Sequence, residues 1–272
     1  MNEHRANAEL AIAAAVAAGE GIMRVFGTDM EVTHKSPDQP LTEADLTADR
    51  LLKDMLTSAR PGYGWLSEET ADSADRLQRA FVWVVDPIDG TRSFVARRPE
   101  FSVSVALAEH GEPVVGVVLN PATGELFWAV RGSGAWQRTR EGDRRIAVRK
   151  GSGARAVLLA SRGEIAKGEF LPYGEQWQIE GIGSTAYKMA RVAAGLADGF
   201  LSRGPKSEWD VCAGALLVRE AGGEVTDANG DPITFNRADA NVRGVLCATA
   251  EQHPMLLHMS RAQDHRKTGE KP

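Results

Sequence analysis

Trp83-Val84-Val85-Asp86-Pro87-Ile88-Asp89-Gly90-Thr91 is the stretch from which the fold and the chemistry of this 272-residue chain are best read. Residues 81–85 are apolar without alternation, which predicts a strand buried on both faces. The run ends abruptly in Asp86. Pro87 fixes its own φ and lacks an N–H, so the chain is expected to leave the sheet there. Asp89-Gly90 reads as a tight turn. A helix beginning near Thr91 would aim its free N–H groups at the same point, an arrangement suited to a phosphate. Two carboxylates are thus delivered together at the carboxyl end of a strand. They repel unless a cation sits between them. Hard oxygen donors in this number favour Mg²⁺, which keeps several waters and binds substrate phosphate as well. Either Asp-Pro or Asp-Gly alone would read as a surface turn; the apolar strand ahead of them favours a site.

Working outward, about residues 7–25 read as a helix ending at Gly27, followed by a polar loop with Pro37 and Pro40 as breakers. Thr42 opens a second helix with Asp45 in the capping-box position. Leu46, Leu51, Leu52, Met55 and Leu56 recur at helical spacing until Pro61-Gly62. Downstream, Phe101, Val103, Val105 and Leu107 alternate with Ser102, Ser104 and Ala106, the pattern of a half-buried strand. Residues 114–119 and 126–130 continue a meander, and the arginine-rich residues 138–145 read as an exposed loop. The second half alternates. Strands are expected at 156–160, 199–202, 224–226 and 245–248. Helices are expected at 184–194, at 207–221 with Gly222-Gly223 past its end, and from near Glu251. Antiparallel sheet followed by strand–helix alternation predicts a layered mixed α+β fold. We expect one domain over residues 1–264, its halves meeting near residue 150, and a frayed polar tail at 265–272.

Composition excludes several classes. Hydrophobic content of 43% and charged content of 25% are those of an ordinary globular chain. A net charge of -5 offers no basic field for a nucleic-acid polymer. Cys212 and Cys247 lie in apolar runs and read as buried reduced thiols. The alanine-rich residues 10–18 are too short to span a bilayer and lack the basic flank of a signal peptide, so a cytoplasmic protein without membrane insertion is expected.

Three further acids are ambiguous. Glu68, in Leu66-Ser67-Glu68-Glu69-Thr70, also reads as part of a solvated loop. Asp210, in Ser207-Glu208-Trp209-Asp210, also reads as the acid of a capping box, and Asp45 stands in the same relation to Thr42. Spacing alone leaves all three open.

Four segments together resemble the inositol monophosphatase superfamily of Mg²⁺-dependent, Li⁺-sensitive phosphatases. They are Thr42-Glu43-Ala44-Asp45, Leu66-Ser67-Glu68-Glu69, the stretch from Asp86 to Thr91, and Glu208-Trp209-Asp210-Val211-Cys212-Ala213-Gly214. Gly183-Ser184-Thr185-Ala186 and Ala221-Gly222-Gly223 add to the likeness, which runs from about residue 7 to 260. The resemblance implies a layered αβαβα sandwich. It implies that Glu68, Asp86 and the Ile88 carbonyl bind a first metal, and that Asp86, Asp89 and Asp210 bind a second, with Asp86 bridging and a weaker third ion on Glu68. Asp45 and Thr91 would orient the attacking water, and the Gly90 and Thr91 amides would hold the phosphate. Two or three Mg²⁺ would then activate water for in-line attack and stabilise the leaving oxygen, in the usual two-metal manner.

The substrate expected is a small phosphate ester. Arg92, the Ser67-Glu68-Glu69 context and Thr42-Glu43-Ala44-Asp45 look more like the bacterial 3'(2'),5'-bisphosphate nucleotidase branch, which would cleave adenosine 3',5'-bisphosphate. Arg92, Gly183, Ser184 and Lys188 are then candidate substrate contacts. A solvated charge on a helix surface is the alternative for Arg92 and Lys188. The Ala-Gly-Gly stretch keeps inositol-1-monophosphatase as the second reading, and a homodimer is compatible with either. Gly181-Ile182-Gly183-Ser184-Thr185-Ala186 also matches a dinucleotide fingerprint. The polar residues 175–180 before it do not read as the buried strand it needs, and no acid ends a strand about twenty positions later. A binding protein with a dead site is the other rival, and the intact ligand set argues against it.

Overall fold

The computed structural model describes residues 3–29, 32–36, 39–150 and 155–268. Helix α1 (Glu3–Val25) buries a stripe of Ala8, Ala11, Ile12, Ala15, Ala18 and Ile22. So little bulk lets it lie close to the sheet beneath: a Cβ on Gly19 would stand 2.8 Å from the Leu119 side chain. A ribbon of β1 (Val32–Ser36) and β2 (Gln39–Thr42) replaces the expected polar loop. Pro40 is tolerated because a two-stranded ribbon is all edge; Pro37 lies outside the described residues. Helix α2 (Glu43–Ala59) opens on Thr42 with a complete capping box and packs beside α1.

Strand β3 (Gly64–Ser67), too short to be recognised in the sequence, runs parallel to β4 (Phe81–Asp89). After the short α3 (Thr91–Val95) comes an antiparallel meander of β5 (Ser102–Glu109), β6 (Glu112–Asn120), β7 (Glu125–Val130), β8 (Ala135–Thr139) and β9 (Gly142–Ile146). These seven strands form one sheet in sequence order. Residues 138–145 are exposed but belong to the β8–β9 hairpin rather than to a loop. Arg138 reaches Asp143 across it with two bonds of 2.8 and 2.9 Å, and the charges blunt the sheet edge.

The second half contains β10 (Ala156–Ala160), α4 (Arg162–Ala166), β11 (Trp177–Gly181), α5 (Thr185–Ala193), β12 (Gly199–Ser202), β13 (Lys206–Ser207), α6 (Glu208–Glu220), β14 (Gly223–Thr226), β15 (Asn241–Val242), β16 (Val245–Thr249) and α7 (His253–Thr268). A five-stranded sheet runs β11-β10-β12-β16-β14, and β13 pairs separately with β15. Helix α7 takes in residues 265–268 of the expected tail; residues 269–272 lie outside the described residues. The layers are α1 and α2, the seven-stranded sheet, α5 and α6, the five-stranded sheet, and α7. This is the expected αβαβα sandwich.

The middle helical layer explains why β5 is buried on both faces and not one. Val103, Val105 and Leu107 meet the α1–α2 layer, while Ser102, Ser104 and Ala106 face α5 and α6 with none of their surface exposed. Small polar residues read as a wet face, but here they admit a helix and find partners. Ser104 donates to the Trp209 carbonyl at 3.1 Å, and the Ser102 and Ser184 hydroxyls lie 3.0 Å apart. On β6, a Cβ at Gly116 would stand 2.7 Å from the Ala213 carbonyl oxygen, a backbone atom that cannot swing aside. Gly116→Ala is expected to cost about 1–3 kcal/mol of stability through overpacking. Urea unfolding checks this, and an unchanged midpoint would contradict the close approach of α6.

Candidate active site

The site grows from an irregularity in β4. Along a regular strand, residues three apart face opposite sides. Asp86 pairs with Ser104 and Asp89 with Ser102, so β4 spends one residue more than β5 over this interval. That bulge turns both aspartates to the face of Ser102 and Ser104. Pro87, with no N–H to contribute, sits within it. The chain therefore stays in the sheet to Asp89, where departure at Pro87 was expected. Ile88 N–H closes the bulge by donating to Asp86 Oδ1 at 3.0 Å.

The other acids arrive from neighbouring elements. Glu68 directly follows β3, and its N–H donates to the Val85 carbonyl at 3.3 Å, beside the end of β4. Asp210 stands in the first turn of α6, where one of its oxygens accepts the Ser207 N–H at 3.0 Å. Glu68, Asp86 and Asp210 each offer one carboxylate oxygen, and these oxygens lie within 4.8 Å of one another. Asp89 is near but differently engaged: its Oδ2 accepts Ser184 Oγ at 2.5 Å and Ala186 N–H at 2.6 Å, at the start of α5. Oδ1 is left for other work.

Asp45 caps α2 with one carboxylate oxygen and meets Thr91 with the other. Its Oδ2 accepts from the Thr42 N–H and hydroxyl at 2.8 and 2.5 Å, while Oδ1 lies 3.1 Å from Thr91 Oγ1. Thr91 Oγ1 is also 3.0 Å from the Ile88 carbonyl. Gly90, between them, has φ +96°, and a Cβ there would stand 3.0 Å from Ser184 N and 3.1 Å from the Glu100 carbonyl oxygen. Conformation and space both require glycine.

A supporting residue escaped the sequence reading. Asp49 receives Ser67 Oγ and, at 2.6 Å, Thr70 Oγ1, which fixes both sides of Glu68. Its spacing of four from Asp45 on one helix face was the available signal.

Residues 4–265 match the sequence profile of the inositol monophosphatase family. An inositol-1-monophosphatase of Caulobacter vibrioides is 36% identical over 264 residues, covering 92% of this chain and 99% of that one. The 3'(2'),5'-bisphosphate nucleotidase CysQ of Escherichia coli K12 is 34% identical over 221 residues, covering 80% and 89%. Among solved structures, the extragenic suppressor protein suhB of Bartonella henselae superposes with a TM-score of 0.81 at 31% identity, covering 93% and 97%.

The chain belongs to the inositol monophosphatase family. It is accordingly a phosphomonoesterase, and its family relatives include both inositol-1-monophosphatases and bisphosphate nucleotidases. Among the described residues, no helix is long and apolar enough to cross a membrane.

The remaining candidates separate. Arg92, on α3 beside the Gly90 turn, is exposed. Lys188, a candidate substrate contact with a solvated charge as the alternative, is not solvated: it is 2% exposed, its Nζ donates to the Ile182 carbonyl at 3.3 Å and lies 5.0 Å from the Phe200 ring centre. Burial lowers its pKa to about 8, against the opposing pull of Asp89. The glycines of the dinucleotide-like run also have an internal explanation. Strand β11 does precede them, but as a sheet edge. A Cβ at Gly183 would stand 2.1 Å from Ser93 Oγ and 2.3 Å from the Glu100 carbonyl oxygen, so the close approach is to protein.

Electrostatics follow from burial. Asp86 is 2% exposed, and desolvation, then Glu68, Asp89 and Asp210, push its carboxyl well above the usual range. Burial, then Asp89 and Glu68, raises Asp210 to about 7. Three carboxylates and a nearby peptide carbonyl are hard oxygen donors, a set that suits a hard divalent cation. Raised carboxyl pKa values mean that the folded chain binds more protons than the unfolded one. Stability without metal should therefore fall as pH rises from the ordinary carboxylate range through about 7. In chelator, the melting temperature is expected to be higher near about pH 6 than near about pH 8, and added Mg²⁺ should raise it more at the higher pH, where protons compete less. Melts indifferent to both pH and Mg²⁺ would contradict this reading of the cluster.

Proposed function

We propose that this phosphomonoesterase is Mg²⁺-dependent and acts on a 3'(2'),5'-bisphosphate nucleotide, converting adenosine 3',5'-bisphosphate to AMP and phosphate. The convergence of Glu68, Asp86 and Asp210 beside the Asp45–Thr91 pair carries the reading. Glu68, Asp86, Asp89, Asp210 and the Ile88 carbonyl would hold the metal. Bound there, Mg²⁺ supplies a water of lowered pKa and neutralises phosphate charge.

The chain's own residues do the rest. Asp45, fixed by its capping contacts, holds Thr91 Oγ1, and the pair orients the attacking water. The Gly90 and Thr91 amides, at a turn where no side chain fits, receive phosphate oxygens. Gly183 and Ser184 line the neighbouring turn. The acids come from β3, β4 and α6, so both halves of the chain are needed, and we read residues 1–264 as one catalytic unit.

Arg92 supports a bisphosphate. The metal ions answer only the phosphate being cleaved, and a second anion needs its own donor. An exposed guanidinium next to the phosphate turn can grip it with two parallel bonds. The second reading, inositol 1-phosphate, is favoured by the names of several of the more similar relatives.

Phosphate release from both substrates is expected to cease in chelator and return with Mg²⁺. Arg92→Ala should lower kcat/KM for adenosine 3',5'-bisphosphate by roughly 10- to 100-fold, the worth of one charge-assisted contact, and barely change inositol 1-phosphate turnover. Equal losses on both, or a wild-type preference for inositol 1-phosphate, would assign the second reading. Activity untouched by chelation would remove the metal.

A further inference from the structure

We infer that Glu100 and Arg162 form a latch that positions Asp89, a role that rests on reading Asp89 as a metal ligand. Glu100 lies in the loop between α3 and β5, and Arg162 opens α4 just past β10. Arg162 grips the Glu100 carboxylate with both terminal nitrogens, at 2.6 Å to Oε1 and 2.5 Å to Oε2. The Gly183 N–H also favours the charged form of this carboxylate. The Glu100 carbonyl lies against Gly183 and Gly90, where a Cβ would stand 2.3 and 3.1 Å from it. Arg162 in turn packs on Gly181: a Cβ there would be 3.2 Å from Arg162 Cγ. One ion pair thus ties the loop after α3 to both ends of the Gly181–Gly183 turn.

What that turn delivers is Ser184. Its φ is +58°, a conformation that a side-chain-bearing residue keeps only when its surroundings hold it. From there Ser184 Oγ donates to Asp89 at 2.5 Å, accepts the Tyr187 N–H at 2.9 Å, and brings the Ala186 N–H to 2.6 Å of the same aspartate oxygen. The chain of contacts runs from Arg162 through Glu100, Gly183 and Ser184 to Asp89. Glu100 is held as a carboxylate: burial pushes its pKa up, but Arg162, the Gly183 N–H and Arg98 outweigh this and leave it below the ordinary range.

The pair is a poor candidate for global stabilisation, since its side chains are 22% and 36% exposed and ion pairs so placed contribute little. Glu100 and Arg162 are therefore positioning residues. Partners that orient a metal ligand typically matter by 10- to 100-fold in affinity or activity, so Glu100→Ala and Arg162→Ala are each expected to weaken Mg²⁺ binding by about 10-fold in calorimetry and to lower kcat similarly. The double variant should lose no more than the worse single, because both act through one chain. Melting temperatures should move by less than about 3 °C. Glu100→Gln, which keeps an acceptor for Gly183, should lose less than Glu100→Ala, and serves if the alanine variant does not fold. Wild-type Mg²⁺ affinity in the single variants, or losses that multiply in the double, would overturn the latch alone. A wild-type protein that binds no Mg²⁺ would overturn it together with the reading beneath it.

Discussion

Repulsion among carboxylates gathered at one point, Asp86 buried and Glu68 and Asp210 half-buried, is the constraint around which this molecule is arranged. Glu68, Asp86 and Asp210 bring oxygens within 4.8 Å of one another where water screens poorly, and Asp89 and Asp45 add charge from the side. Left alone, such a group takes up protons. The chain offsets part of the cost by donating hydrogen bonds to one oxygen of each flanking acid from the start of a helix. Asp45 caps α2, Asp210 caps α6, and Asp89 receives the Ala186 N–H of α5. Three helix N-termini thus converge on the cluster, each with the end that favours negative charge. The second oxygen of Asp45 meets Thr91, and the second oxygens of Asp89 and Asp210 are those a cation would take.

Holding those helix ends in register is the work of the sandwich. The sheet face under α5 and α6 is kept small by Ser102, Ser104, Ala106 and Gly116, so both helices seat close enough for Asp210 and Ser184 to reach β4. The bulge at Pro87 aligns Asp86 and Asp89 on that same face. A strand without the extra residue would send one of the two aspartates to the α1–α2 side. Activity and fold therefore share their weak point, and substitutions that thicken the face under α6 should disturb both.

Much of this was legible in residues 81–91, because an unbroken apolar strand ending in acids has few other uses. Helix starts at Thr42 and Ser207 were likewise visible from capping chemistry. The limits of legibility have physical causes. Residues 102–106 alternate as a half-wet strand would, yet a second helical layer dries their polar face, and only tertiary packing decides that. Residues 138–145 lack apolar pattern because they close the outer edge of the seven-stranded sheet, and in 177–181 only Trp177 and Ile179 carry one, too short a run to stand out among polar neighbours. Lys188 read as a candidate substrate contact or a solvated charge, and its burial was not foreseen because helical position alone does not reveal the five-stranded sheet behind it. For Asp45 and Asp210, capping and site roles were alternatives in the sequence. In the folded chain the capping contact takes one carboxylate oxygen of each, so the two readings are compatible.

The most direct test of the metal cluster is anomalous diffraction from crystals grown with Mn²⁺ in place of Mg²⁺. The account predicts anomalous density against the Asp86 carboxylate, within reach of Glu68 and Asp210, and its loss or strong reduction in Asp86→Asn. Absence of any anomalous peak among these carboxylates at saturating Mn²⁺, or a peak undiminished in Asp86→Asn, would contradict it.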